Sequence, residues 1–236
     1  MILSALLNKH NWSNPTSWGY KVHASLDFGC GDNPRNPFAG ESLFGLDIVG
    51  EENTSLNVAK KILDGSANFQ KIVVKRGQHL PFDDDFFDAV TLFDVVEHLS
   101  REPQNNSNEF IETMNELSRV LKIGGVLLAV TPAYPSPAAF QDPTHINIIS
   151  ESTYTYFVGE KAPATLLGYG FRGSFKMIDQ FWVGPQNRLM KNDNSDDKNL
   201  IRNFSNIIRN PRATLSGLRK PTHLAWLMEK VKNSPL

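Results

Sequence analysis

The sequence predicts an α/β fold, in which helices cover both faces of a mostly parallel β-sheet. Short apolar runs typical of buried strands alternate along the chain with longer segments of helical periodicity. The first run ends in a turn with Gly29 and Gly31, where the backbone can reverse sharply beyond a strand. With 236 residues the chain is long enough for one such domain with a complete core.

The first half of the chain contains four predicted strands. They are predicted at residues 24–28, 43–47, 71–75 and 87–93. Helical periodicity extends over residues 59–70, whereas Pro34 and Pro37 limit any helix between the first two strands to a short or broken one. Before the first strand we predict a short helix over residues 1–8 and an irregular cover segment over 11–20.

The second half begins with an amphipathic helix over residues 108–121, where apolar residues recur every three to four positions. Gly124 and Gly125 are predicted to end this helix. The apolar run at residues 126–130 then predicts a fifth strand.

The remainder of the chain is predicted to add one helix, two strands and a helical tail. Ser150 has the character of an N-cap for a helix that extends to residue 158. Residues 173–183 have strand character and are expected to supply the last two strands. Apolar residues at three-to-four spacing over 222–232 predict a C-terminal helix.

The charge of the chain is unevenly distributed although the net charge is only −1. Residues 1–197 hold 16 Lys and Arg against 24 Asp and Glu, whereas residues 198–236 hold 8 against a single Glu. The basic tail is free to meet an anionic partner, to lie in solvent or to pack against the acidic body. A nucleic-acid partner is disfavoured, because aromatic and basic residues do not interleave as they do in sites that stack bases.

Composition also bounds the cellular setting. Cys30 is the only cysteine, which excludes an intrachain disulfide, and inside the glycine turn it is interpreted as a small residue that fits there. No apolar run approaches the roughly 18 residues of a membrane span, and the N-terminus lacks the basic start of a secretory signal. We therefore expect a cytoplasmic protein.

Two acids are spaced as in sites for nucleoside-type cofactors. Asp27 ends the first predicted strand, directly before the glycine turn, and Asp47 ends the second strand about 20 residues later. Glycines allow the backbone to approach a ligand closely, and a carboxylate on the neighbouring strand can accept hydrogen bonds from ribose hydroxyls. The alternative is an ordinary turn with a helix-capping acid.

Three segments resemble motifs of the class I S-adenosylmethionine-dependent methyltransferases, of the type 11 and type 23 kind. They are Ser-Leu-Asp-Phe-Gly-Cys-Gly-Asp at residues 25–32, the segment from Leu-Pro-Phe to Glu-His-Leu at 80–99, and the helix end, Gly-Gly turn and strand at 117–132. Their order and spacing agree with the family across about residues 22–183. The resemblance implies a Rossmann-like sheet of seven strands, mostly parallel, with an antiparallel last strand.

The resemblance also implies where S-adenosylmethionine binds. Gly29 and Gly31 would lie against its methionine and ribose parts, and Asp27 near its amino group. Asp47 would accept hydrogen bonds from the ribose hydroxyls, and Ile48 would pack on the adenine face.

The chain departs from the family where many relatives carry an acid that contacts the adenine amino group. Arg76 occupies that position, and an arginine cannot accept a hydrogen bond. We expect Gln78, His79 or backbone groups to meet the adenine edge instead. Asp94, at the end of the fourth strand, is expected to face the cofactor.

Residues 141–147 lie after the fifth strand, where an acceptor would enter. His145 can take a proton near neutral pH, Asp142 can orient it, and Asn147 supplies another polar group. The segment resembles a pattern of bacterial methyltransferases often associated with sugar or surface-polysaccharide biosynthesis. We predict that His145 and Asp142 are catalytic. Alternatively, both residues fasten a lid loop to the body of the protein.

Two other polar clusters receive structural interpretations. Glu97 and His98 follow the fourth strand and are interpreted as pocket architecture more readily than as a base. Asp83, Asp84 and Asp85 are consecutive in a turn and do not converge readily on one ion, so we predict no metal site.

The sequence therefore predicts a methyltransferase that acts on a small-molecule acceptor, by O-methylation of a sugar or a related metabolite. The alternatives are a non-catalytic protein that binds S-adenosylmethionine and, less favoured, a nucleotide-dependent oxidoreductase. A homodimer is left open. We divide the chain into an N-terminal helix and cover segment (1–21), the methyltransferase domain (22–185), and a polar linker with a basic helical tail (186–236).

Overall fold

The structure, a computed structural model, describes residues 21–31, 34–49, 68–75, 79–104, 107–183 and 221–232. The short helix and the cover segment predicted before residue 21 lie outside these ranges, as do the polar linker, Arg76 and Gln78.

Seven strands form one sheet. They are β1 (Ala24–Phe28), β2 (Ser42–Val49), β3 (Asn68–Lys75), β4 (Phe87–Phe93), β5 (Leu121–Pro132), β6 (Phe175–Val183) and β7 (His223–Lys230). Their order is β3-β2-β1-β4-β5-β7-β6, and only β7 runs antiparallel to its neighbours in this sheet of the described residues. The predicted α/β fold, with a mostly parallel sheet and an antiparallel last strand, is confirmed. β1 and β4 have the predicted bounds.

The last strand corrects the prediction of a C-terminal helix, because residues 222–232 contain β7. Its apolar residues alternate between the two faces of the sheet: Leu224, Trp226 and Met228 pack on one side, and Ala225 and Leu227 on the other. Since both faces are buried, the run is continuously apolar, and periodicity alone does not distinguish it from a helix. The sheet is therefore completed by residues beyond 185, where we predicted that the domain ends. Residues 173–183 supply one strand, β6, and not two.

Gly124 and Gly125 lie within β5 and do not end the preceding helix, contrary to the prediction. That helix ends at Val120, and β5 begins at the next residue. The pairing of β5 with β4 changes register here, and Gly124 has a left-handed backbone with a φ of +80°. The two glycines therefore form a bulge that lets the chain pass directly from helix to strand.

The long helix, α1 (Glu109–Val120), begins where the sequence predicts it. The side-chain oxygen of Asn108 accepts a hydrogen bond from the backbone N–H of Ile111 at 3.0 Å and so caps the helix. A short helix, α2, covers Pro163–Leu166. Three 3-10 turns lie at Val96–His98, Pro137–Ala139 and Thr153–Phe157. The last of these replaces the α-helix that we predicted after Ser150. Similarly, β3 begins at Asn68, so the helix predicted over 59–70 does not reach its last three residues.

The topology creates a crevice at the carboxyl edge of the sheet. The chain leaves β1 toward β2 on one side, while β4 lies on the other side, and ligands of such sheets bind where the strand order reverses. Asp27, Asp47 and Asp94 all lie at this edge, at the ends of β1, β2 and β4. Across the described ranges, no helix has the length and apolar character needed to cross a membrane.

Candidate active site

The turn after β1 uses its two glycines differently. Gly29 has a φ of +75°, and a Cβ there would lie 2.4 Å from Cγ2 of Val95, so a side chain does not fit. Gly31 has a φ of +53°, and among the described residues a Cβ there would meet no atom within 4 Å. The N–H groups of Gly29 and Cys30 donate to the carbonyl of Leu46 at 2.7 and 3.0 Å. The turn is therefore fixed to β2 on one side and open on the other.

Cys30 fills the interior of this turn. Burial raises the pKa of its thiol to about 12. A thiol that stays protonated is a poor nucleophile. This property supports the interpretation of Cys30 as a small packed residue.

Asp27 braces the turn from within the protein. Its side chain is buried, with 1% of its surface exposed, and accepts hydrogen bonds from the Thr91 hydroxyl at 2.8 Å and from the Arg35 backbone N–H at 2.7 Å. Burial raises the pKa of Asp27 to about 6, although both hydrogen bonds lower it. The carboxylate thus connects β4 to the chain that returns from the glycine turn.

Asp47 and the glycine turn border the same space. The carboxylate of Asp47 lies 3.2 Å from the Nζ atom of Lys71 on β3, and about a third of its side chain is exposed. The same ammonium group donates to the carbonyl of Gly31 at 2.9 Å. Ile48 follows Asp47 in β2, and its side chain lies outside the described part of the molecule.

Asp94 connects β4 to the last strand. It has a φ of +56°, and its backbone N–H donates to the carbonyl of Val130 at 2.9 Å. Its Oδ1 atom lies 3.1 Å from Nε2 of His223, a buried residue at the start of β7. The Nδ1 atom of His223 lies 2.7 Å from the Thr222 hydroxyl. Asp94 is therefore held at the carboxyl edge by groups from β5 and β7.

His79 points to α1. Its Nδ1 atom lies 3.1 Å from Oε2 of Glu116, which also accepts the backbone N–H of Leu80 at 2.9 Å. No contact among the described residues joins His79 to Asp47 or to the glycine turn. The structure thus places the predicted cofactor residues of β1, β2 and β4 at one edge of the sheet, and His79 contacts α1.

The loop after β5 places His145 beside Asp142. The Nδ1 atom of His145 lies 3.2 Å from the carbonyl oxygen of Ala139, and Nε2 lies 4.0 Å from Oδ2 of Asp142. Because a carbonyl only accepts, Nδ1 of His145 is the donor in this contact. Asp142 itself accepts hydrogen bonds from the hydroxyl and the backbone N–H of Thr144, which lower the pKa of Asp142. Ala139, and not Asp142, therefore holds the ring by a hydrogen bond.

Asn147 fastens this loop to the turn after β4. Its amide donates to the carbonyls of Val96 and Leu99 at 2.9 and 2.7 Å, and its oxygen accepts from Nε of Arg101 at 2.9 Å. Its backbone N–H donates to the carbonyl of Glu97 at 2.9 Å. These bonds use the side chain of Asn147 for structure, where we expected a polar group for the acceptor.

The fastening brings His145 next to Glu97 and His98. The ring centroids of His98 and His145 are 4.8 Å apart, with their planes at 72°. Glu97 is buried and accepts a hydrogen bond from the hydroxyl of Thr131 at 2.9 Å. The two segments that we interpreted separately therefore form one cluster at the carboxyl ends of β4 and β5.

Sequence analysis missed three residues that shape the site. Thr91 stands on β4 and bonds Asp27, Lys71 contacts Asp47 and Gly31, and His223 contacts Asp94. The position of Lys71 in the strand next to β2 was a sequence signal for its contact with Asp47. His223 was not identified as a site residue, because its segment was interpreted as a helix.

Residues 26–129 match the family model described as a methyltransferase domain, and they include the glycine turn, Asp47 and Asp94. Over these residues the chain is similar to methyltransferase domains. The resemblance to class I methyltransferases implies S-adenosylmethionine as the methyl donor. The comparison with curated proteins gives no match.

Several solved structures are similar to this chain over most of its length. The YcgJ protein of Bacillus subtilis has a TM-score of 0.50 and 18% identity, over 91% of this chain and 93% of its own. A putative methyltransferase of Bacillus halodurans has a TM-score of 0.49 and 20% identity, over 90% and 94%. A SAM-dependent methyltransferase of Archaeoglobus fulgidus has a TM-score of 0.47 and 20% identity, over 97% and 93%. At 18% identity, the similarity to the YcgJ protein shows a shared fold.

The residues at the carboxyl edge of the sheet fit this cofactor. A Cβ at Gly31 would meet no atom of the described residues within 4 Å, so a ligand can approach the backbone there. The partly exposed carboxylate of Asp47 borders the same space and can accept hydrogen bonds from ribose hydroxyls.

Proposed function

We propose that this methyltransferase transfers a methyl group to a hydroxyl oxygen of a small molecule, a sugar or a related metabolite. The observation that carries the proposal is the orientation of His145 on the loop after β5, whose Nδ1 atom donates to the Ala139 carbonyl and so leaves Nε2 as the ring nitrogen that can accept a proton. Methyl transfer to a hydroxyl releases a proton, and a neutral imidazole can take it near neutral pH. The resemblance of residues 141–147 to sugar-directed enzymes supports the same acceptor class.

The cofactor would be held by the residues that line the carboxyl edge. S-adenosylmethionine supplies a methyl group that its sulfonium already activates. We assign its methionine and ribose parts to Gly29, Gly31 and Asp27, with Asp94 nearby, and the ribose hydroxyls to Asp47. Ile48 is assigned to the adenine face, and Gln78 or His79 to the adenine edge. For His79 to reach the adenine, its contact with Glu116 would have to break.

His145 would act as the general base, and Asp142 would support it. The Ala139 carbonyl keeps the ring hydrogen on Nδ1, so the proton from the acceptor arrives at Nε2. Asp142, at 4.0 Å, is too far for a hydrogen bond and would stabilise the resulting imidazolium by its charge.

The cofactor assignment is tested by calorimetry and thermal unfolding with S-adenosylmethionine, S-adenosylhomocysteine and NAD. We expect the first two to bind and to raise the Tm, by an amount equivalent to about 2.7 kcal/mol at 100 times Kd. NAD should do neither. Binding of NAD alone would favour the oxidoreductase, and binding of none of the three would contradict the proposal.

The acceptor step is tested with His145→Gln and a panel of hydroxylated sugars, with release of S-adenosylhomocysteine as the readout. We expect kcat to fall roughly 100-fold or more, as for loss of a general base, while the Kd of S-adenosylmethionine changes less than twofold. Asp142→Asn serves as the milder partner variant, with a loss of about tenfold.

Two results would count against this assignment. If His145→Gln leaves turnover and its pH profile intact, His145 fastens the loop and is not the base. If the protein binds S-adenosylmethionine but methylates no hydroxylated compound in the panel, the non-catalytic alternative is favoured.

A further inference from the structure

Glu97, His98 and His145 converge at the carboxyl ends of β4 and β5. One nitrogen or oxygen atom of each lies within 4.8 Å of those of the other two. The Nε2 atom of His98 is 4.0 Å from Oε1 of Glu97. The three residues come from two segments of the chain, with His98 and His145 separated by 47 positions, so the fold itself creates this cluster.

Both imidazole rings contact a backbone carbonyl through Nδ1. Nδ1 of His98 lies 3.3 Å from the carbonyl oxygen of Thr144 and 3.1 Å from its hydroxyl, and that hydroxyl donates its hydrogen to Asp142. Nδ1 of His98 must therefore be the donor. Nδ1 of His145 donates to the carbonyl of Ala139. In the neutral form of each ring, Nε2 is therefore the nitrogen that has the lone pair.

This pattern is the one that orients histidines toward a metal ion. A ligating histidine almost always donates its other ring hydrogen to a carboxylate, a carbonyl or water, which fixes both the tautomer and the ring plane. His98 and His145 each satisfy this condition with a backbone carbonyl.

Glu97 supplies the anionic member of the set. Its side chain is 1% exposed, and its Oε2 atom accepts the hydrogen of the Thr131 hydroxyl. A carboxylate oxygen binds a divalent transition-metal ion together with imidazole nitrogens in many protein sites.

We propose that Glu97, His98 and His145 form a binding site for a divalent transition-metal ion. Two imidazole nitrogens and one carboxylate oxygen suit such an ion, and three protein ligands leave a coordination position for water or an acceptor oxygen. Two ligand atoms that each lie about 2.0–2.1 Å from one ion are at most about 4.2 Å from each other. The ligand atoms of the three residues lie within 4.8 Å of one another, so side-chain movements of less than about 1 Å would bring them to these distances.

The proposal goes beyond the methyl-transfer function and does not depend on it. An ion on Nε2 of His145 excludes a proton from the same lone pair, so the base role belongs to the ion-free protein. Metal binding is therefore measured directly, without S-adenosylmethionine or an acceptor.

The test uses the full chain after treatment with a chelator. We expect one Zn²⁺ ion to bind in calorimetry, and one Co²⁺ ion to give a visible absorption band that Zn²⁺ abolishes. His98→Gln, His145→Gln and Glu97→Gln should each weaken the affinity at least 10-fold, the lower end of what removal of even an outer-shell partner costs. His23→Gln is the matched control, because His23 pairs with Glu41 on the exposed surface.

Each result decides the proposal. Loss of affinity in the His98 and His145 variants with retention in His23→Gln supports the site. Equal binding by all variants identifies adventitious surface binding and overturns it, as does the absence of binding at millimolar Zn²⁺. Since Glu97 is buried, circular dichroism establishes that Glu97→Gln is folded; if it is not, the two histidine variants decide alone.

Discussion

Gly29 and Gly31 have similar left-handed backbones but different neighbours. A Cβ at Gly29 would collide with Val95, whereas a Cβ at Gly31 would enter open space among the described residues. A side chain at Gly29 therefore harms the fold first. A side chain at Gly31 would mainly occupy the space that we assign to the cofactor.

We predict that Gly31→Ala lowers the affinity for S-adenosylmethionine more than it lowers stability. An L-residue in the left-handed region costs about 1–2 kcal/mol of folding free energy. The new methyl group should also exclude the ligand, with a loss of affinity of at least about 10-fold. Calorimetry gives the Kd, and urea unfolding gives the stability.

Gly168→Ala is the matched control for this prediction. Gly168 has a φ of +72°, and a Cβ there also meets no atom within 4 Å among the described residues, but it lies near α2. We expect the same loss of stability with an unchanged Kd. An equal loss of affinity in both variants would show that strain, and not occupation of the cofactor space, is responsible.

At the scale of elements, β7 decides whether the sheet is complete. It lies between β5 and β6 and pairs with both along almost its whole length. Trp226 stands in its middle and is fully buried. The strand is therefore an internal part of the core, although it is reached only after a long excursion of the chain.

We predict that Trp226→Ala lowers the free energy of unfolding by about 3–5 kcal/mol, the usual cost of deleting a large buried aromatic side chain. Denaturant unfolding with two spectroscopic probes measures it. Trp226→Phe is the matched control. No acceptor for the indole N–H lies among the described residues, so the phenyl ring should cost less than about 1.5 kcal/mol. A loss below 1 kcal/mol for Trp226→Ala would contradict the internal position of β7.

For the molecule as a whole, the sequence predicts local structure better than contacts between distant segments. β1 and β4 were predicted with their observed bounds, because each is a short apolar run with a clear end. β7 was not, since a strand buried on both faces has no polar alternation. The link between His98 and His145 depends on the fold that brings the two segments together, and no local pattern contains it.

The stability of the whole molecule should report the buried charge of Asp27. Burial raises the pKa of Asp27 from 3.8 to about 6, so between these values the folded protein binds more protons than the unfolded chain. The stability that Asp27 contributes to the fold is therefore fully present below about pH 4, and it is lost as the pH rises to about 6. The shift of about two units corresponds to about 3 kcal/mol.

Asp27→Asn should remove this pH dependence while keeping the contacts of the turn. The amide oxygen can accept the Arg35 N–H, and the amide group can donate to the Thr91 hydroxyl, which can turn its hydrogen toward the carbonyl of Leu26 at 3.3 Å. We expect the variant to gain stability relative to the natural chain as the pH rises from 4 to 6, measured by urea unfolding at each pH. Parallel curves for the two proteins would mean that Asp27 does not titrate in this range. The carboxylate of Asp27 would then be ionised throughout this range. Its hydrogen bonds to Arg35 and Thr91 would stabilise the glycine turn equally at pH 4 and at pH 7.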